Sequence, residues 1–115
     1  MEKVLFAFLF ISSITFAQQD YNTKKGAIAN GYDVVAYFNN KATKGNKKIS
    51  TTFDGVKFLF STKENLEEFK KTPEKYVPQY GGYCAYAIGK SSEKVAINPK
   101  TFEIRDGKLY LFYNA

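Results

Sequence analysis

Of the 115 residues none is histidine or tryptophan, one is cysteine (Cys84) and one is methionine (Met1). Without imidazole, His-based triads and histidine acid–base chemistry are excluded. One thiol cannot close an internal disulfide, and one thiol without imidazole cannot build a four-ligand zinc or iron–sulfur site. Arg105 is the single arginine, so the net charge of +6 is carried almost wholly by scattered lysines. Nucleic-acid readers favour clustered arginine, so this pattern describes a solvated basic surface with weak attraction to anionic surfaces and no nucleic-acid partner. No long apolar run is present, hence no membrane span. No Gly-rich phosphate loop occurs either, since Gly81-Gly82 lacks the Lys-Ser/Thr that would follow. The carboxylates sit in turns (Asp54, Asp106), near bends (Asp20, Asp33) or on a wet helical face (Glu64, Glu67, Glu68). Nothing here marks an enzyme.

Aromatic residues are abundant: 11 Phe and 9 Tyr can build a core for one small domain. Residues 1–17 read as a signal peptide. Lys3 is followed by the apolar run Val4–Ile11, and Thr15 and Ala17 are the small residues of a cleavage site before Gln18. A buried N-terminal helix is the alternative, but the run has almost no polar face. The expected product is exported, periplasmic or secreted. Residues 18–30 read as a polar tail, and 31–115 as the domain.

Two Asp-Gly pairs, Asp54-Gly55 and Asp106-Gly107, each separate apolar runs and predict two β-hairpins, Ile49–Phe60 and Phe102–Phe112. Lys108–Tyr113 is apolar on both faces, as in a central strand. Between the hairpins lies helix. Ser61 and Glu64 suggest a capping box, Leu66 and Phe69 share a face, Pro73 opens a second short helix that Pro78 ends, and Gly81–Ile88 suggests a third. No repeat beyond the two hairpins is evident. The expected fold is α+β: two hairpins in one antiparallel sheet, with two or three short helices between them. The expected core is Phe38, Phe53, Phe58, Phe60, Leu66, Phe69, Ile88, Ile104, Leu109 and Leu111.

Two features bear on function. Cys84 reads as a small core residue, as a thiol near a helix start available for ligand or redox use, or as an intermolecular disulfide partner. Tyr76, Tyr80, Tyr83 and Tyr86 recur every three or four residues and, with Tyr32 and Tyr37, form either a core edge or an aromatic pocket.

Four segments in order, GYDVVAYF (31–38), FDGVKFLFSTKENLEEF (53–69), PEKYVPQYGGYCAYAIG (73–89) and NPKTFEIRDGKLYLFYN (98–114), resemble the YHS domain family in its stand-alone exported form. The resemblance implies a metal-binding module, related to cysteine-rich metal-sensing domains and found beside copper-transporting ATPases and some hydroxylases. In metal-binding relatives one cysteine follows the strand and a second lies one helical turn on. Those places hold Ser61 and Asn65 here, which removes zinc and iron–sulfur function. The leading expectation is a non-catalytic binding module with a soft, copper-class metal held through Cys84. A lone thiol needs a second donor for Cu(I), and the economical solution is a homodimer bridged by two Cys84 thiolates. The alternative is a structural or protein-interaction domain, without metal, in which Cys84 is a core residue.

Overall fold

The computed structural model describes residues 20–114. The expected signal peptide and its cleavage site lie outside the described residues. The chain runs β1 (Thr23–Lys24), β2 (Ala27–Ile28), α1 (Val34–Tyr37), β3 (Asn46–Phe53), β4 (Val56–Phe60), α2 (Lys63–Lys71), α3 (Pro73–Tyr76), α4 (Ala85–Ser91), β5 (Asn98–Arg105) and β6 (Lys108–Phe112). This is the expected α+β class.

Both Asp-Gly turns are where the sequence places them. Asp54, Gly55, Asp106 and Gly107 all have positive φ, the backbone that a two-residue hairpin loop requires. The hairpins do not share one sheet, however. β3 and β4 belong to a four-stranded sheet of order β1-β2-β4-β3, while β5 and β6 form a sheet of their own. Within the expected tail, β2 pairs parallel to β4 with Ala27 opposite Lys57 and so occupies the edge of β4 that β3 leaves free, and Ile28 is fully buried. Thr23–Ile28 is therefore part of the sheet rather than a tail. Asn22 ties the same segment to the far half of the chain, its amide donating to the Gly81 carbonyl at 2.8 Å.

Helix starts differ from expectation in two places. α2 is capped by Thr62, whose hydroxyl accepts the Asn65 amide at 3.0 Å, and not by Ser61. Ser61 is unavailable because its hydroxyl and amide are both committed to Asp33. The third helix begins at Ala85 rather than Gly81, because Tyr80, Gly81 and Gly82 have φ of 58°, 64° and 87° and cannot be α-helical. α3 begins at Pro73 as expected, a position where the missing amide costs nothing.

The core holds Phe58, Phe60, Phe69, Leu109 and Leu111, with Phe38, Phe53, Leu66 and Ile104 packed against it. Phe69 is its hub, its ring centroid 4.6 Å from Phe58, 5.2 Å from Phe60 and 5.8 Å from Phe53. Ile88 is half-buried and lies outside the cluster, where Ala87 packs instead. Ile28, Ala29, Val34, Val35, Tyr37, Tyr76, Cys84 and Ile97 complete the core.

The two hairpins are copies in more than their turns. In each, an Asn side chain accepts the amide two residues on, Asn46 from Lys48 at 2.8 Å and Asn98 from Lys100 at 3.0 Å. Each then shows a register shift before regular pairing resumes, between Asn46 and Ser50 and between Asn98 and Phe102.

Candidate functional site

Two places hold the chain's unusual chemistry, and both lie at the start of a helix. The first is Asp33. It is completely buried and precedes α1, where its Oδ1 accepts the Val35 amide at 2.9 Å and the Ala36 amide at 3.1 Å. Its Oδ2 accepts three more donors: Ser61 N at 2.8 Å, Ser61 Oγ at 2.7 Å and Asn65 Nδ2 at 2.8 Å. Ser61 and Asn65 thus converge on one carboxylate from β4's end and α2's first turn. Among the described residues no lysine or arginine pairs with it, and these five donors compensate its burial. Sequence reasoning placed Asp33 at a bend and missed its role. The Asp-Val-Val-Ala pattern of a cap was the available signal.

The donor set does not fit a soft metal. Ser61, Asn65 and Asp33 offer oxygen donors and an amide NH2 that already points at the carboxylate, whereas copper(I) and structural zinc take thiolate or imidazole. Among the described residues no group of three or more Cys, Asp or Glu side chains is placed to hold a metal ion.

The second place is Cys84, the residue before α4. It is buried, its amide donates to the Val95 carbonyl at 3.0 Å, and its Sγ accepts the Tyr113 amide at 3.3 Å. The thiol lies at the floor of an open groove of about 660 Å³, with Tyr86, Phe102, Phe112 and Tyr113 on its walls. A smaller adjoining hollow adds Tyr80, Arg105 and Tyr110.

The six tyrosines do not form one pocket. Tyr37 is fully buried, its hydroxyl donating to the Pro99 carbonyl at 2.6 Å and its ring 4.7 Å from Phe102. Burial, with smaller contributions from Tyr32 and Asp33, pushes that hydroxyl well above the ordinary tyrosine value. Tyr76 is also buried, donates to Glu68 at 3.1 Å, and is raised for the same reason first. Tyr32 is half-buried and its backbone pairs with Lys44. Tyr83 reaches Asp20 at 3.5 Å, beside the Lys94–Asp20 ion pair. Only Tyr80 and Tyr86, 47% and 64% exposed, line the groove region. Tyr113, 60% exposed, joins them there and was not singled out from sequence. Its signal was the two-faced apolar pattern of Lys108–Tyr113.

The YHS domain family model matches residues 34–80, from the first residue of α1 to the turn before Cys84, and over that span the chain carries a YHS domain. No curated protein and no solved structure matches the chain.

Proposed function

We propose that the protein is an exported, non-catalytic interaction module that binds a partner protein, with the groove beside Cys84 as its binding surface. The observation that carries this reading is that Ser61 and Asn65, which by the resemblance stand where metal-binding relatives have cysteine, are spent holding a buried carboxylate, which leaves no soft donor set there. The groove supports it further, because Tyr86 and Tyr113 stand exposed on its rim and exposed aromatics mark interaction surfaces. Export rests on the apolar run before Thr15 and Ala17. Among the described residues no helix is long and apolar enough to cross a membrane.

A copper reading retains one favourable observation, that Cys84 lines the groove. On that reading two chains share one Cu(I) through their Cys84 thiolates. Size measurement with and without Cu(I), on wild type and Cys84→Ser, separates the two. The interaction reading expects a monomer at every copper level, and a native thiol that reacts with a labelling reagent only slowly. Copper-dependent dimerisation lost in Cys84→Ser would overturn it. Intact mass of the exported chain tests the other half of the proposal: a mature protein beginning at Gln18 is expected, and full-length chain in the membrane fraction is the contrary result.

A further inference from the structure

The similarity of the two hairpins extends over nearly the whole domain. Ala29, Asn30 and Gly31 have φ of 55°, 53° and 84°, and Tyr80, Gly81 and Gly82 repeat that left-handed run with 58°, 64° and 87°. Each run closes with one turn bond, Tyr32 N to Ala29 O and Tyr83 N to Tyr80 O. Each leads into an extended tyrosine and then the residue before a short helix, Asp33 before α1 and Cys84 before α4. The amides of Asp33 and Cys84 donate forward to Thr43 and Val95, three residues before the matching Asn46 and Asn98. Finally, the residue after each hairpin donates its amide back, Ser61 to Asp33 and Tyr113 to Cys84. Beyond the Asp-Gly turns and the matching Asn46 and Asn98, the short matches Gly-Tyr-Asp-Val-Val-Ala and Gly-Tyr-Cys-Ala-Tyr-Ala are what the sequence retains of this repeat.

The halves differ in what covers them. In the first, α2 follows the hairpin and lies over the face of Phe53, Phe58 and Phe60, with the Phe69 ring against all three and Asn65 reaching Asp33. The equivalent residues of the second half, counted from the shared Asp-Gly turn, are Arg105, Tyr110 and Phe112. Alternation along β6 turns Leu109 and Leu111 into the core and puts Tyr110 and Phe112 on the other face, where both are half-buried and Phe112 keeps contact with the edge of the core. α4 reaches this face from the β6 side, Ala85 and Tyr86 lining a hollow with Arg105, Tyr110 and Phe112, but among the described residues no helix spans both strands as α2 spans β3 and β4. This hollow and the groove that adjoins it at Tyr86 and Phe112 form the open side of the hairpin.

We infer that this groove takes an amphipathic α-helix of a partner protein, seated over β5–β6 and beside Cys84 as α2 is seated over β3–β4 and beside Asp33. The inference deepens the interaction reading and rests on it. The ligand's chemistry follows from the equivalence. An apolar pair three residues apart, as in Leu66 and Phe69, meets Tyr110 and Phe112, and its flanks are polar because Arg105 and its partner Glu103 remain at the rim. Tyrosine and arginine where the first half has phenylalanine suit a face that spends part of its life in water.

The test uses the helix the molecule already employs. A synthetic peptide of residues 61–72, stapled across the wet positions Lys63 and Glu67, is titrated into the isotope-labelled protein and amide shifts are followed. The expected result is saturable perturbation centred on Cys84, Tyr86, Tyr110 and Tyr113. Replacing Leu66 and Phe69 of the peptide by Ala should abolish it. Tyr86→Glu or Tyr110→Glu in the protein should weaken it about tenfold or more, since the helix would bury a charge against its apolar side. Tyr86 is exposed, so its variant keeps the fold. Absence of saturable shifts, shifts confined to Phe53, Phe58 and Phe60, or a homodimer that already buries Tyr86 and Tyr113 would each overturn the inference. Copper-dependent dimerisation through Cys84 is a different failure, that of the interaction reading itself, and is read by size without any peptide.

Discussion

Replacing Asp33 by Ala is expected to destabilise the protein by at least about 3 kcal/mol, enough to threaten folding of so small a domain. The carboxylate accepts five hydrogen bonds at a site with no solvent exposure. Without it, the first amides of α1 lose their cap, which alone costs about 0.5–2 kcal/mol, and the half-buried Ser61 and Asn65 donors lose their acceptor. Asp33→Asn is expected to recover little. One side of an amide accepts and the other donates, so either the α1 amides or the Ser61–Asn65 donors must face an NH2 group. Asn65→Ala removes a single donor and should cost only about 1–2 kcal/mol, which keeps the argument measurable if Asp33→Ala does not fold. Denaturant melts of the three variants check the ordering. An Asp33→Ala protein within about 1 kcal/mol of wild type would show that the cluster is not a structural knot.

Phe69→Ala is expected to cost about 3–5 kcal/mol. Phe69 is 1% exposed and its ring meets Phe53, Phe58, Phe60 and Tyr76. The cavity would lie between α2 and the β3–β4 face, walled by rings fixed in two strands that cannot easily collapse inward. Phe69→Leu, which keeps most of the volume, should lose clearly less. A loss under about 1 kcal/mol for Phe69→Ala would mean that α2 does not seal this face, and would remove the first-half template on which the groove inference is built.

Local chemistry was legible in the sequence, and long-range chemistry was not. The Asp-Gly turns, Pro73 and the Leu66–Phe69 face act within a few residues, and each stands where it was expected. Ser61 looked like a cap because serine usually is one before a helix. Its actual partner, Asp33, is distant in the chain, and Thr62 took the capping role. Ala27–Ile28 is too short and too embedded in lysines to read as a strand, yet pairing with β4 makes it one. Tyr37 and Tyr76 look amphipathic in sequence, and only the fold supplies the Pro99 carbonyl and Glu68 that allow their burial. Lys108–Tyr113 is the instructive case. Its two apolar faces suggested a central strand, whereas β6 pairs with β5 alone. One face is core and the other is the open side of the hairpin. The larger repeat escaped notice because it is held by backbone angles and hydrogen bonds, with few identical residues.

Equivalence of the two halves also explains why Asp33 and Cys84 behave differently at one structural position. Both accept the amide that follows their hairpin. Asp33 presents two strong acceptor oxygens and therefore gathers Ser61 and Asn65 about it. The Cys84 thiol is a weak acceptor that one amide satisfies, and it demands no further partners.

Metal content of protein purified without a polyhistidine tag tests the central claim most directly. The claim is that Ser61, Asn65 and Asp33 form a hydrogen-bonded knot in place of a soft-metal centre, and that Cys84 alone does not supply one. Elemental analysis after equilibration with Cu(I) or zinc and removal of the free ion is expected to find neither metal at a fixed ratio to protein. Copper or zinc retained at a constant stoichiometry, and lost in Cys84→Ser, would contradict the account.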